Sequence, residues 1–409
     1  MRRLLTAGAG LLAGVVVGAI LMLGAQSLSS MPEATGPPSI DTTTLATPVT
    51  TRPVASGEDV APPPPISDQV LLVWTPGGLP QGFGDRLAEI RGVNAVTGVR
   101  SDLAHLVESK NVNGEVVDQP PDGWVVPIEV MAFDPATYSA FLPKRASNDF
   151  TTLGAGEIIL GSTSAQLRRI GAGGVLTLED GSSFIVTAVV DDVLIGAAEA
   201  ALPVGAAGSL GIALERYLLI RYSGDRKDLE SSIRAKLPDG VAVRIRAPGE
   251  TPVLRHGDAV LPQVLIKKQF GEFAYRPDGG LSFVIDTGWV DDSIVTSRIP
   301  LLGSVTCHRN LIPALAGAMG ELEATKLDFL IDPDGFRGCF NPRYIANSKG
   351  ISRHAWGAAA DVNSGSNPEG LDSVQDPRLI RVMEQWGFTS GDDWLVPDPG
   401  HFEYVQPAP

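Results

Sequence analysis

Short β-rich runs interleaved with brief amphipathic helical stretches predict an α+β protein carried behind an apolar N-terminal segment. A charge-free apolar run, 4–25, follows Arg2 and Arg3, and a proline- and threonine-rich stretch, 26–66, shows no apolar periodicity. From Gln69 onward, strand-like runs such as Val70-Leu71-Leu72-Val73-Trp74 alternate with helical ones. The expected order is therefore an N-terminal transmembrane helix (1–25), a linker (26–66), a split βαβ middle domain with a β insertion (67–255) and a C-terminal α+β domain with a small antiparallel sheet (256–409).

At 409 residues the chain is long enough for two cores. A charged fraction of 19% beside a hydrophobic fraction of 44% is that of folded protein, not of a disordered chain. The net charge of −15 argues against nucleic acid as a partner, because no basic stripe is available to release counterions from phosphates. It also disfavours flat binding to an anionic lipid surface.

The apolar run 4–25 exceeds the roughly 7–15 residues of a signal-peptide core and matches the ~20 needed to span a bilayer. Leu23-Gly24-Ala25 is a poor cleavage site, so an uncleaved anchor is expected, with secretion the outcome if cleavage does occur. Arg2 and Arg3 then stay in the cytoplasm and the rest lies outside. Gly10, Gly14 and Gly18 recur at a spacing that permits close helix contact, which allows a homodimer; membrane helices are also simply rich in glycine. The linker, with Pro62 to Pro65 at its end, cannot bury enough surface to fold and holds the following domains away from the membrane.

In the middle region, a strand at Val70–Trp74, a helix at Phe83–Ile90 and a strand at Val93–Val99 form one unit. Tyr217–Tyr222, a helix near Asp228–Leu237 and Val241–Ile245 repeat the order. Between them Glu157–Leu160, Val175–Leu178, an Asp180-Gly181 turn and Phe184–Val190 read as β. Gln166-Leu167-Arg168-Arg169-Ile170-Gly171, Leu176-Thr177-Leu178 and Val186-Thr187-Ala188-Val189-Val190-Asp191-Asp192 make the stretch 68–248 similar in pattern to the extracytoplasmic core domain of MacB-type ABC permeases. That family's membrane spans and nucleotide-binding motifs are absent, so transport is not implied. His105 reads as an ordinary polar position, and Asp191-Asp192 as a solvated turn.

The C-terminal region holds the chemistry. Ser352-Arg353-His354-Ala355-Trp356-Gly357-Ala358-Ala359-Ala360-Asp361 and Asp398-Pro399-Gly400-His401-Phe402-Glu403-Tyr404 contain two of the five histidines, each with a carboxylate nearby. His354, Asp361 and His401 form a zinc ligand set that leaves a fourth tetrahedral position for water. Seven positions separate His354 from Asp361, roughly 10 Å on a helix and more than about 20 Å on a strand, so both touch one ion only if the chain folds back. Gly357 is placed to permit that. Pro399-Gly400 reads as a turn before a strand in which His401 and Glu403 share one face. Asp398 is the candidate general base, with Glu403 as the fallback or as support for the ligands.

The first motif follows S-x-H-x-x-G-x-A-x-D and the second D-P-x-H-F-E. Together they resemble the zinc D-alanyl-D-alanine carboxypeptidases and L-alanyl-D-glutamate peptidases (VanY-type) that act on bacterial cell walls, over 265–405. The resemblance implies zinc on His354, Asp361 and His401, Asp398 as base, Arg337 steadying the substrate carbonyl and Ser352 as a substrate-orienting hydroxyl. The substrate implied is a peptidoglycan stem peptide. Some branches carry Glu at the base position, where this chain has the shorter Asp.

Structural readings stand beside these. Arg337 and Arg343 also suit surface charges, and Trp394 suits a core anchor. Cys307 and Cys339 suffice for one disulfide, which an exported chain favours; the alternative is a second zinc site formed with His308. Asp376-Pro377 starts a helix that Gly387 ends, with Leu379, Val382, Met383 and Trp386 inward, and a helix near Pro313–Leu322 turns Leu315, Met319 and Leu322 inward. The functional expectation is an extracytoplasmic zinc peptidase. The alternative is a cell-wall binding or envelope-assembly protein whose zinc site is structural or inactive.

Overall fold

The computed structural model describes residues 69–346 and 348–405, so the expected membrane helix and linker lie outside the described residues. Among the described residues, no helix is long and apolar enough to cross a membrane. The architecture is α+β. The first part of the chain supplies strands β1 (Val70–Trp74), β2 (Val93–Lys110), β3 (Val116–Asp118), β4 (Val126–Phe133), β5 (Glu157–Gly161), β6 (Val175–Leu178), β7 (Ser183–Val190), β8 (Ala200–Pro203), β9 (Glu215–Tyr222) and β10 (Arg244–Arg246). Helices α1 (Phe83–Ala88), α2 (Pro135–Tyr138), α3 (Lys144–Thr151), α4 (Ser162–Arg168), α5 (Val204–Ala207) and α6 (Arg226–Arg234) connect them.

These strands run in the order β10-β1-β9-β2-β4-β8-β5-β7-β6, with β9 between β1 and β2 in the split arrangement. Successive side chains of β1 point to opposite faces. Val70, Leu72 and Trp74 enter one core, while Leu71 and Val73 pack with Phe83 and Leu87 of α1 and Leu229 and Ile233 of α6. Burial on both faces explains the unbroken apolar run. The β insertion goes further than its sequence pattern suggests. β6 pairs back onto β2, so β2, β4, β8, β5, β7 and β6 close into a barrel filled by residues such as Leu106, Ile128, Val130, Leu160, Leu176, Val186 and Leu202. Closure depends on β2, which runs on past its pairing with β9 to reach β4 and β6.

The second part comprises α7 (Gln263–Phe270), β11 (Tyr275–Pro277), β12 (Phe283–Ile285), α8 (Thr287–Ser293), β13 (Ile294–Ile299), β14 (Gly303–His308), α9 (Ile312–Ala324), β15 (Ala359–Asp361), α10 (Pro377–Gln385), β16 (Phe388–Gly391) and β17 (Asp398–Tyr404). β11–β12 and β13–β14 are hairpins, and β15-β17-β16 is a small antiparallel sheet. Asp376 caps α10 by accepting from the Arg378 N–H, with Pro377 at the first turn. Leu315, Met319 and Leu322 of α9 meet Leu379, Val382 and Met383 of α10 in one core. Trp386 departs from the inward face expected of it. Its ring lies across α9, where a Cβ on Gly317 would come within 2.1 Å of it, and its Nε1–H reaches Glu321 Oε2 at 2.8 Å near the surface.

α7 joins the two parts. Lys267 on α7 and the following Glu272 interlock with Arg168 of α4 and with Glu199, and three of these four side chains are fully buried. Arg168 Nη2 and Lys267 Nζ approach Glu199 Oε2 at 2.7 and 2.9 Å, and Gln263 Nε2 donates to Glu199 Oε1 at 2.9 Å. Burial opposes ionisation of Glu272, yet Arg168 and Lys267 outweigh it and hold its carboxyl near 2. The opposite side of the same segment faces the stretch that carries His308 and His354. The Phe270 carbonyl accepts from His308 Nε2–H at 3.0 Å, and the Gly271 carbonyl from Trp356 Nε1–H at 3.2 Å.

Candidate metal centre

Ser352 opens the site's first element. Its hydroxyl accepts from the His354 N–H at 3.3 Å and caps a single 3-10 turn, Arg353–Trp356. Gly357 ends the turn in the left-handed region, at φ 61°. A Cβ there would also stand 2.6 Å from the His308 backbone nitrogen, so glycine is required twice over. The chain thus folds back and enters β15, whose Asp361 lies directly opposite His401 of β17. Pro399-Gly400 does not form the expected turn. Both residues lie within β17, in a bulge where the partner strand steps from Ser390↔Phe402 to Gly391↔Asp398.

Three donor atoms converge. His354 Nε2 lies 3.1 Å from Asp361 Oδ1 and 3.2 Å from His401 Nδ1, and His401 Nδ1 lies 3.0 Å from Asp361 Oδ1. Ligands at about 2.0–2.1 Å from one tetrahedral zinc ion stand about 3.3–3.4 Å apart, so the three atoms outline one face of that tetrahedron, slightly contracted. The donors fit such a cation chemically as well. His354 Nδ1–H donates to the Cys339 carbonyl at 2.8 Å, which fixes the tautomer and leaves the Nε2 lone pair for the centre. Both histidines are buried, whereas Asp361 keeps about a quarter of its side chain open to solvent, at 23%.

Charge in the centre is arranged for a cation. Burial alone lowers the His401 pKa, but the Asp361 and Glu403 carboxylates overcome it and push it up to about 10. Burial likewise works against the Asp361 carboxylate, and hydrogen bonds from His354 and His401 hold it well below its usual range. Asp398 behaves differently. Burial raises its pKa, His401 opposes the rise and the carboxylates of Asp361 and Glu369 add to it. It therefore stands in electrostatic reach of the donors without being one of the three.

The remaining predicted residues fall as follows. Arg337 has its backbone N–H on the Asp361 carbonyl at 3.0 Å, and its side chain is exposed beside the site. Cys307 and Cys339 are joined by a disulfide, with His308 donating to Phe270 rather than to a second metal site. Ser352 is buried at its capping position, which differs from the substrate-facing hydroxyl expected from the motif. Trp394 is no core anchor: it is half-buried with its ring 5.3 Å from that of His401, forming a wall of the site. Glu403 is buried on the Nε2 side of His401, away from the donor triangle, which removes it as a fallback base.

Two features escaped the sequence. Gln375 donates to the carbonyls of Val362 at 2.9 Å and Pro399 at 3.2 Å, and Asn363 donates to Gln375, tying the end of β15 to the β17 bulge. Arg353, in a variable position of the motif, lies beside Glu403 with 11% of its side chain exposed. No periodicity marks a lone amide or a lone arginine, although the adjacency of Arg353 to His354 was a usable hint.

A two-histidine, one-aspartate centre with a separate carboxylate three residues before one ligand has the donor layout of hydrolytic metal sites. Residues 346–404 match the family profile described as D-alanyl-D-alanine carboxypeptidase, so this segment is similar to that peptidase family. Among solved structures, the chain is similar to the periplasmic region of MacB from Actinobacillus actinomycetemcomitans, at 10% identity and a TM-score of 0.30, covering 44% of this chain and 90% of that one. It is also similar to the extracellular domain of the noncanonic ABC-type transporter YknZ from Gram-positive bacteria, at 12% identity and a TM-score of 0.30, covering 43% of this chain and 99% of that one. No curated protein matches the chain.

Proposed function

We propose that this protein is an extracytoplasmic zinc metallopeptidase that hydrolyses amide bonds in peptidoglycan stem peptides. The observation that carries the reading is the His354–Asp361–His401 donor triangle, set in the segment similar to the D-alanyl-D-alanine carboxypeptidase family. His354, Asp361 and His401 would hold the zinc ion, which would supply a water of lowered pKa and Lewis acidity toward the scissile carbonyl. Asp398 takes the proton of the attacking water and returns it to the leaving amine; its raised pKa suits a group that must both accept and give a proton. Arg337 steadies the negative charge that develops on the carbonyl oxygen. Trp394 walls the site on the His401 side.

The chain is held at the cell membrane by 1–25, with 26–66 as the spacer and the folded part outside. The disulfide agrees with an oxidising compartment. Mass spectrometry of muropeptides incubated with the protein, with and without a chelator, tests the reading. Release of a stem-peptide residue that stops on chelation is expected. Cleavage that survives both chelation and His354→Ala would end the zinc mechanism.

A further inference from the structure

His401 offers Nδ1 to the donor triangle and turns its other nitrogen outward. Nε2 faces Glu403, whose Oε1 lies 3.6 Å away. Glu403 is 3% exposed, and its Oε2 has no hydrogen-bond partner. Its cross-strand neighbours are Ala359 and Thr389, neither of which offers a charge. The closest cation is Arg353, with Nε 3.7 Å from Oε1. Arg353 is anchored in turn, since its Nη2 donates to the Leu261 carbonyl at 2.7 Å, just before α7. A buried carboxylate and a guanidinium left only 11% exposed both carry large desolvation costs. Packing between Ala359 and Thr389 requires neither of them.

We propose that Glu403 and Arg353 are positioning residues of the metal centre: Glu403 receives the Nε2–H of His401, keeping Nδ1 bare and aimed at the cation, and Arg353 holds Glu403 in place from Leu261. A neutral imidazole carries one N–H, and the acceptor on one nitrogen decides that the other is free to ligate. A carboxylate acceptor also makes the ring a stronger donor. The two histidines differ in this respect: His354 Nδ1–H is hydrogen-bonded to the Cys339 carbonyl at 2.8 Å, whereas His401 Nε2 faces the Glu403 carboxylate at 3.6 Å, a distance that metal binding must shorten for the hydrogen bond to form. Only Asp361 among the ligands is an anion, so Glu403 brings a second negative charge toward a divalent ion.

The inference rests on the metal reading of the site and deepens it, and its test does not depend on peptide cleavage. Zinc affinity of the purified full chain is measured by competition with a chromophoric chelator, for the wild type, Glu403→Gln, Arg353→Met and the double variant. Apo stability and circular dichroism are recorded in parallel. Glu403→Gln weakens zinc binding by about 10–100-fold, as loss of a supporting carboxylate does in other metal centres. Arg353→Met weakens it less, and the double variant equals Glu403→Gln, because Arg353 acts through Glu403. The double variant carries no orphaned charge and decides the matter if a single variant fails to fold. Affinities within about threefold of wild type for Glu403→Gln and the double variant overturn the proposal while leaving the metal site intact. So do fully additive losses. Wild-type zinc binding no tighter than that of His354→Ala overturns the metal reading and the proposal together.

Discussion

Removing the disulfide should destabilise the protein without dismantling the metal centre. Cys307 and Cys339 are 32 residues apart, and the loop-entropy relation assigns a bridge of that span about 3.7 kcal/mol at 25 °C, acting mainly on the unfolded chain. That is about a 500-fold change in the folding equilibrium. The folded side changes little, because the segment carrying the Cys339 carbonyl has other anchors. Arg337 N–H bonds the Asp361 carbonyl at 3.0 Å, Asp361 N–H bonds Gly338 at 3.2 Å, Phe340 N–H bonds Thr306 at 3.0 Å and Asn341 N–H bonds His354 at 2.9 Å. The acceptor for His354 Nδ1–H therefore stays in place. In a Cys307→Ala/Cys339→Ala variant, urea unfolding should show stability lower by about 3–4 kcal/mol. Zinc affinity by chelator competition should stay within about threefold of wild type. An unchanged urea midpoint would refute the entropic argument. A loss of zinc affinity beyond about tenfold would show that the backbone anchors do not suffice to hold His354.

Asp398→Asn should lower turnover by about 10²–10⁴-fold while zinc content stays at the wild-type level, because the side chain is not one of the three donors; unchanged turnover would favour a binding role for the domain. Stability should fall as the medium is acidified from about pH 6.5 toward pH 4. Burial holds the His308 pKa down to about 4, so the unfolded chain binds more protons than the folded one throughout that window. The geometry gives the same sign, since His308 Nδ1 accepts from the Asn310 N–H at 3.1 Å and cannot do so when protonated. Urea titrations across this range should give a shallower pH slope for His308→Gln, and an identical slope would count against the assignment. Glu199→Gln leaves Arg168 and Lys267 sharing one carboxylate and should cost about 3–5 kcal/mol in equilibrium unfolding; a cost under about 1 kcal/mol would mean that water or another group compensates.

The site was legible where chain geometry leaves few choices. Donors seven positions apart that meet at one point force a reversal, and only glycine tolerates both the positive φ of Gly357 and its approach to His308. The strand pattern of β17 likewise placed His401 and Glu403 on one face. Pro399-Gly400 suggests a turn because those residues break strands in general, whereas here Gly400 lets the segment at Asn367 and Ser364 press against a bulged strand, with the Asn367 carbonyl 3.0 Å from where a Cβ would sit. Barrel closure was illegible for a different reason. It depends on β2 meeting β6, a contact between distant segments, and Ser101, Asp102 and His105 interrupt the alternation that would reveal β2 as one long strand.

The expected boundary at 255/256 separates residues that the fold binds together. Arg255 pairs with Glu129 at 2.8 Å, Asp258 pairs with Arg246 at 2.5 Å and also accepts from the Leu395 N–H at 2.6 Å, and α7 carries Lys267 into the charge cluster beside the barrel. The Leu395 contact lies next to Trp394 and three residues before Asp398, so a wall of the site and the approach to its proposed base are tied to the β10 side of the first sheet. Arg244 reaches the same loop, donating to the Asp393 carbonyl at 2.8 Å. Buried ion pairs contribute little net stability against apolar replacements, but they fix one arrangement over others, because each charge is tolerable only opposite its partner. Their concentration around α7 and Asp258 means that the alignment of Trp394, Asp398 and Arg353 is set jointly by both parts of the chain. The barrel and split sheet then act as part of the site's scaffold.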